Sequence, residues 1–341
     1  MKKKMITWLL IVAALTGLLT GCSGSTQKSE AASSEITLKF GHPQTSDSIW
    51  QSLAEYIKEY VESRDETITI DIYPDCQLGD ESTMMQAALA GTLDMVGLTF
   101  SELTNAAPAC NICELPFFYG TIEDYLKVQN DETFHAKLWG EIEAVGLVPI
   151  GNSDIATRSL SNKKHPVHTP ADLAGLKIRV MTSPIYSKLW DAMGATPVSL
   201  GFSEVYTGLQ QGVIDGEETG LETMVDMGFH EQEKFHTELH YVISGGMNLM
   251  SKQAWGKLSA EQQALMLEAG AAGFEYALTL YDDYYAERRD IAIESGVDVI
   301  VPTAEELDAF AELALPVVEE IVSADESTKE LYDIACGILG K

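Results

Sequence analysis

ADLAGLKIRV (Ala171–Val180) is followed, after a short helical insert at Tyr186 to Met193, by GATPVSLGFSEVYTGLQQGVIDGEE (Gly194–Glu218). KIRVM (Lys177 to Met181) is a short apolar run of the kind that forms a buried strand. Ser203 is placed to cap a helix through Gln211 that stops at Gly212, and VIDGEE leads into a further helix from about Leu221. Strand and helix therefore alternate, and Arg179 stands at the end of the predicted strand. In a chain of 52 acidic and 22 basic residues, net charge −30, an arginine so placed points to a specific anion site. The same charge repels polyanions and excludes nucleic acid as a partner.

The alternation extends in both directions. ITLKFG (Ile36 to Gly41) and TITIDIYP (Thr67 to Pro74) alternate as strands, and Leu53, Ile57 and Val61 recur at helical spacing between them. Asp80-Glu81-Ser82 opens a helix through Leu89, LDMVGL (Leu93 to Leu98) reads as a buried strand, and Tyr125 to Val145 carries helical segments. From Leu147 a second block begins: LVPIGN and ATRSLS are predicted as two strands. Trp255 to Ser295 is almost continuously helical and long enough to brace two lobes. The fold class expected is α/β, two lobes around a cleft, each a mostly parallel sheet flanked by helices.

The first residues form a leader. Lys2, Lys3 and Lys4 precede an apolar run from Ile6 to Leu19 that is too short for a stable membrane span. Leu19-Thr20-Gly21-Cys22 resembles a bacterial lipobox, which implies cleavage of residues 1–21 and diacylglycerol on Cys22. Residues 22–34 are Ser-rich and read as a flexible tether. Cys110 and Cys113 form a C-x-x-C, but no second pair follows at zinc-ligand spacing, so no metal site is expected. Two small buried side chains and a local disulfide both remain open for them.

IYPDCQLGDE (Ile72–Glu81), GLKIRV (Gly175–Val180), GFSEVYTGLQQGVIDGEE (Gly201–Glu218) and HEQEKF (His230–Phe235) resemble the substrate-binding proteins of tripartite ATP-independent periplasmic (TRAP) transporters, the DctP-like family. The resemblance implies two lobes joined by crossing strands and one long helix, closing on a ligand by hinge motion. It implies residues 35–155 plus about 245–284 as lobe I, and 156–244 plus about 285–341 as lobe II with the C-terminal helices. It also implies an extracytoplasmic location, lipid-anchored to the cell membrane, and a membrane permease of one small and one large subunit driven by an ion gradient. No cofactor and no catalytic residue are expected.

By the same resemblance Arg179 grips the ligand's carboxylate in a bidentate fork, a task that suits a planar, permanently charged guanidinium. Arg158 matches a second carboxylate-facing arginine. Thr219 stands where the family has an amide side chain, and Glu102 where the sialic-acid-binding branch has an arginine, which disfavours sialate. His42, Glu81, Thr99, Thr182, Phe202 and Glu218 complete the expected pocket. Carboxylates beside the arginines suit a small organic acid with one carboxylate and several hydroxyls, a uronate or an aldonate.

Each of these residues has a plainer role open to it. Arg179 and Arg158 could sit in ion pairs, Glu81 at a helix N-terminus, Glu218 in a turn, Phe202 in the core and His42 in a loop; Trp50, Trp139, Trp190 and Trp255 read as packing residues. Two other functions compete: a ligand-presenting lipoprotein for a sensor or constitutive partner, and a secreted hydrolase. Against the hydrolase, the carboxylates of Glu217-Glu218 and Glu305-Glu306 are adjacent in sequence and diverge, and no G-x-S-x-G, H-E-x-x-H or P-loop is present.

Overall fold

In the computed structural model, residues 35–341 are described. The predicted leader, the lipidation site Cys22 and the tether lie outside them. The two alternating segments near residue 35 form β1 (Ile36–Gly41) and β2 (Ile68–Tyr73), parallel from Ile36 opposite Ile68 to Gly41 opposite Tyr73. Ser48 caps α1 (Ile49–Glu62), its side chain accepting from the Gln51 N–H, and Leu53, Ile57 and Val61 of its apolar stripe are fully buried. Asp80 caps α2 (Glu81–Leu89) in the same way, and β3 (Met95–Thr99) joins β1 on its free side. Then come α3 (Phe100–Leu103), a 3-10 segment (Pro108–Glu114), α4 (Ile122–Gln129) and α5 (Glu132–Ala144). Cys110 and Cys113 lie in the 3-10 segment as buried free thiols.

LVPIGN and ATRSLS are not two strands but one, β4 (Leu147–Asn162), 16 residues long. The second block continues with β5 (Lys177–Val180), α6 (Pro184–Ala192) and β6 (Thr196–Ser199). Ser203 does not cap a helix; it sits inside a 3-10 turn, Phe202–Glu204, that runs into α7 (Val205–Gln211), and Gly212 ends that helix in the left-handed conformation at φ 73°. Next are β7 (Gly216–Glu217), α8 (Leu221–Asp226) and β8 (Phe235–Ser251), a 17-residue strand. The chain closes with α9 (Lys252–Trp255), the 35-residue α10 (Ala260–Glu294), β9 (Asp298–Ile300), α11 (Ala304–Ala324) and α12 (Glu326–Leu339).

Sheet order is β2-β1-β3-β8-β4-β7-β5-β6, with β9 also on β8. The outer strands pair in parallel, as expected, but β8 is antiparallel to both β3 and β4, and β4 to β7. The centre of the sheet is thus an antiparallel ribbon of the two longest strands. On one side of it Leu38, Phe40, Leu53 and Ile57 form one apolar cluster and Phe100, Leu103, Phe134 and Leu138 another. On the other side Ile178, Leu189, Trp190 and Phe310 pack together, beside Val205, Leu209, Met224 and Phe229.

The helix α10 touches both sides. Met266, Ala269 and Ala277 enter the cluster around Leu53, whereas Ala292 packs with Val225 and Phe229. Arg288 Nε also pairs with Asp226 Oδ1 of α8 at 2.9 Å. The last helix departs from the expected division: Leu331 and Ala335 of α12 pack with Phe134 and Leu138 of the first lobe, although residues near 285–341 were expected with lobe II.

Candidate functional site

A narrow cavity, with about 50 Å³ of free space, lies beside the central ribbon. Arg179, on β5, enters it from the second block. The residue is 2% exposed, and Nε and Nη2 donate to the Leu200 carbonyl at 3.1 and 3.0 Å. This carbonyl fixes the side-chain direction without neutralising its charge. Among the described residues no carboxylate lies within ion-pair distance of Arg179. Burial pulls its pKa down, against the opposing charge of Glu218. Phe202 stands beside it, its ring centroid 5.9 Å from Cζ. A buried charge without a partner is costly.

Arg158, on β4, also lines the cavity but is already paired. Nε donates to Glu218 Oε2 and Nη2 to Glu218 Oε1, both at 2.8 Å. The Tyr241 hydroxyl donates to the same carboxylate. Glu218, expected as a hydroxyl acceptor for the ligand, is fully buried with both oxygens occupied and is not part of the cavity wall. Arg158 and Glu218 thus offset each other, and Arg179 carries the net positive charge of this end.

The remaining expected residues divide. Glu81 and Thr99 line the cavity, and Glu81 Oε1 accepts from the Thr99 N–H at 2.7 Å. Burial raises the Glu81 pKa, while the Thr99 contacts and both arginines act against it. Thr219 lines the wall, its hydroxyl donating to the Gly220 carbonyl at 3.2 Å. His42 and Thr182 do not line it. His42 is buried behind Trp50, stacked on that ring at 6.2 Å and bonded through Nε2 to Gln51 Oε1 at 2.9 Å. Burial pushes its pKa down to about 4, so the imidazole is neutral at physiological pH.

Thr182 instead donates to Glu102 Oε2 at 3.2 Å. Ser183 meets Thr104 at 3.1 Å, and Tyr186 donates to Glu114, with Ser101 3.2 Å from its hydroxyl. These contacts join α6 and its approach to the first lobe.

Sequence reasoning missed Trp50, Ser101, Asp154, Thr223 and Ser244, all of which line the cavity. Trp50 reads in the sequence as a packing residue, and the structure puts it in the cavity wall. The signal for Asp154 was present in the glycine pair of β8, Gly245-Gly246, whose meaning depends on what it faces. Among the described residues no group of three or more His, Cys, Asp or Glu side chains is placed to hold a metal ion.

Beneath the cavity, Glu222 of α8 is buried with neither carboxylate oxygen bonded to a side chain or neighbouring backbone group. Burial pushes its pKa up to about 8, with Asp154 and Asp226 adding to the shift. The folded protein therefore keeps a proton that the unfolded chain releases near its ordinary value of 4.5, and stability falls as pH rises from there to about 8. His42 and His236, held neutral by burial, act in the opposite sense, but only below their ordinary value of 6.5. Above that pH the carboxyls act alone. Glu222→Gln is expected to raise the melting temperature at pH 8 and to leave it nearly unchanged at pH 5. Calorimetry giving equal shifts at both pH values would show that Glu222 is not protonated in the fold.

Residues 40–325 match the family model described as bacterial extracellular solute-binding protein, family 7, DctP. The chain belongs to this family. A solute-binding protein of Roseobacter denitrificans is 30% identical to this chain over 312 residues, 89% of this chain and 95% of the relative. The 2,3-diketo-L-gulonate-binding periplasmic protein of Escherichia coli is 30% identical over 302 residues, 88% of each chain. The solved structure of a TRAP periplasmic solute-binding protein from Roseobacter denitrificans, with bound L-galactonate, matches at a TM-score of 0.81 and 28% identity, over 88% of this chain and 99% of that one. This DctP protein is accordingly a TRAP solute-binding protein with the two-lobed fold of its family, whose members work outside the cytoplasm. None of its described helices is long and apolar enough to cross a membrane.

Proposed function

We propose that this TRAP solute-binding protein captures a sugar acid, a uronate or an aldonate, and delivers it to a permease of one small and one large membrane subunit. The observation that carries the reading is Arg179: a buried guanidinium, oriented by the Leu200 carbonyl, lining a cavity and lacking an ion partner. A ligand carboxylate supplies that partner. Arg158 adds its remaining N–H groups, while Glu81, Thr99 and Thr219 face the ligand's hydroxyls and Phe202 its apolar side. His42, Thr182 and Glu218 act behind this wall, Glu218 by holding Arg158.

The lobes, residues 35–155 with 245–284 and 156–244 with 285–324, close over the ligand, and α12 rides with the first. The chain catalyses nothing: Glu217 and Glu218, the adjacent carboxylates that could suggest a hydrolase, are both fully buried, and Glu218 is committed to Arg158. Cys22 carries lipid and holds the protein at the outer face of the membrane. The relatives support the choice of ligand, since the Roseobacter structure holds L-galactonate and the Escherichia coli protein is described as binding 2,3-diketo-L-gulonate.

Thermal unfolding against D-galacturonate, D-glucuronate, L-galactonate and succinate tests this. A ligand present at a hundredfold its dissociation constant stabilises the fold by about 2.7 kcal/mol, a plainly visible shift. Stabilisation by at least one sugar acid is the expected result. None from any of the four would overturn it in favour of a protein that serves a constitutive partner.

A further inference from the structure

The register of β4 against β8 slips beside the cavity. Asn152 lies opposite Met247 and Ile155 opposite Gly245, so Ser153 and Asp154 together face the single residue Gly246. This is a β-bulge, a device that re-aims side chains next to binding sites. It explains the glycine pair. A Cβ on Gly245 would lie 2.2 Å from the Asp154 carbonyl oxygen, and one on Gly246 would lie 2.5 Å from Ser153 Oγ and 2.6 Å from the Leu98 carbonyl oxygen. The bulged backbone occupies the space that side chains on β8 would need.

Beyond the bulge, alternate residues of β4 share a face. Asp154, Ala156 and Arg158 all line the cavity. Arg158 and Asp154 are four residues apart, about 13 Å along an extended backbone, and Ala156 between them contributes only a methyl group. The wall therefore has a cationic end, a small middle and an anionic end. Both arginines act on the Glu81 carboxyl, but neither acts on that of Asp154. One Asp154 oxygen, Oδ1, accepts from the Ser153 hydroxyl at 3.1 Å. Among the described residues no other side chain bonds it, and its side chain is half-buried at the cavity surface.

We propose that Asp154 is the specificity residue for the end of the ligand remote from its carboxylate, accepting hydrogen bonds from terminal hydroxyls and excluding a second carboxylate. The assignment rests on the sugar-acid reading above and adds to it which acids are refused. Burial raises the Asp154 pKa to about 6, against the Ser153 hydrogen bond, which leaves the carboxylate ionised at neutral pH; an ionised carboxylate only accepts, so hydroxyl donors satisfy it. A second carboxylate has no proton to give and brings a like charge into a poorly hydrated space, where repulsion is weakly screened. Glu222 on α8, Tyr125 on α4 and Tyr281 on α10 are the titratable groups on which the Asp154 charge acts, and none is a cation that would reverse this.

L-Galactonate and D-galacturonate each become galactarate when the end remote from the carboxylate is oxidised to a second carboxylate, so the three form a matched set. In titration calorimetry on the full chain, the wild type is expected to prefer at least one of the monoacids to galactarate by about tenfold or more. Asp154→Asn keeps the shape and one acceptor, removes the charge and adds a donor. It is expected to weaken the monoacids about 10- to 100-fold and to narrow or reverse the preference. Wild-type preference for galactarate overturns the assignment without any variant, which keeps it testable should Asp154→Asn not fold. Monoacid binding with the same selectivity in Asp154→Asn also overturns it, and leaves the sugar-acid reading intact. Failure of the wild type to bind any sugar acid overturns both.

Discussion

Replacing Arg179 by alanine is expected to weaken sugar-acid binding by two to three orders of magnitude. Truncating one partner of a buried, hydrogen-bonded charge pair costs about 2–5 kcal/mol, or roughly 30- to 5,000-fold in affinity. The low end of that range is left out because Arg179 is 2% exposed and has no ion pair within the described residues to share the loss. Lysine in its place keeps the charge but loses both the fork and the two bonds to the Leu200 carbonyl that aim it, so it too falls well short.

The unliganded protein should respond in the other direction. Removing an uncompensated buried charge relieves a desolvation cost, so the melting temperature of Arg179→Ala without ligand should hold or rise while the ligand-induced shift disappears. Arg158→Ala would differ, since it strands the buried Glu218 carboxylate. Calorimetry that finds Arg179→Ala within threefold of the wild type would remove Arg179 from the anchoring role.

Gly270→Ala should destabilise the fold by about 3 kcal/mol or more, as severe overpacking does. The long helix α10 passes over β4 at this residue. A Cβ there would lie 1.9 Å from the Ile150 carbonyl oxygen and 2.6 Å from its carbon. Both atoms are backbone, so no side chain can rotate away. Gly151 meets Gly270 from the strand side, where a Cβ would come within 2.8 Å of the helix backbone.

Either the helix lifts off the sheet or the crossing strand bends, and both disturb the wall that carries Arg158. Gly140 supplies the contrast: it lies in α5, with nothing within 4 Å of its Cβ position. Gly140→Ala should gain about 1 kcal/mol from helix propensity alone. Denaturant unfolding in which Gly270→Ala matches the wild type would show that the helix and strand do not approach so closely.

Much of this fold is legible where one face of an element is wet. α1 follows from Leu53, Ile57 and Val61, and β1 and β2 from alternation, because period marks an element only when one of its sides meets solvent. β8 escapes for the same reason inverted. From Tyr241 to Ser251 every residue is buried, so no alternation survives, and Gly245-Gly246 looks like a break. β4 divides in two on paper because the glycine at 151 and the bulge at Ser153-Asp154 interrupt its pattern.

In the site, Arg179 stands out through its motif and its rarity in an acidic chain. The pairing of Arg158 with Glu218 spans 60 positions, and no local pattern announces it. Glu218 therefore reads as available to ligand when it is already committed. Asp154 resembles any other of the chain's 52 acidic residues until the register of its strand is known.

The antiparallel ribbon of β4 and β8 also runs through the boundary proposed between the lobes. Such a ribbon bends across its width at little cost, whereas sliding one strand along the other would break a row of hydrogen bonds together. Asp154 and Arg158 belong to the same strand but stand on opposite sides of the boundary proposed between the lobes at 155/156, so rocking of the lobes pivots one end of a ligand against the other without sliding the strands.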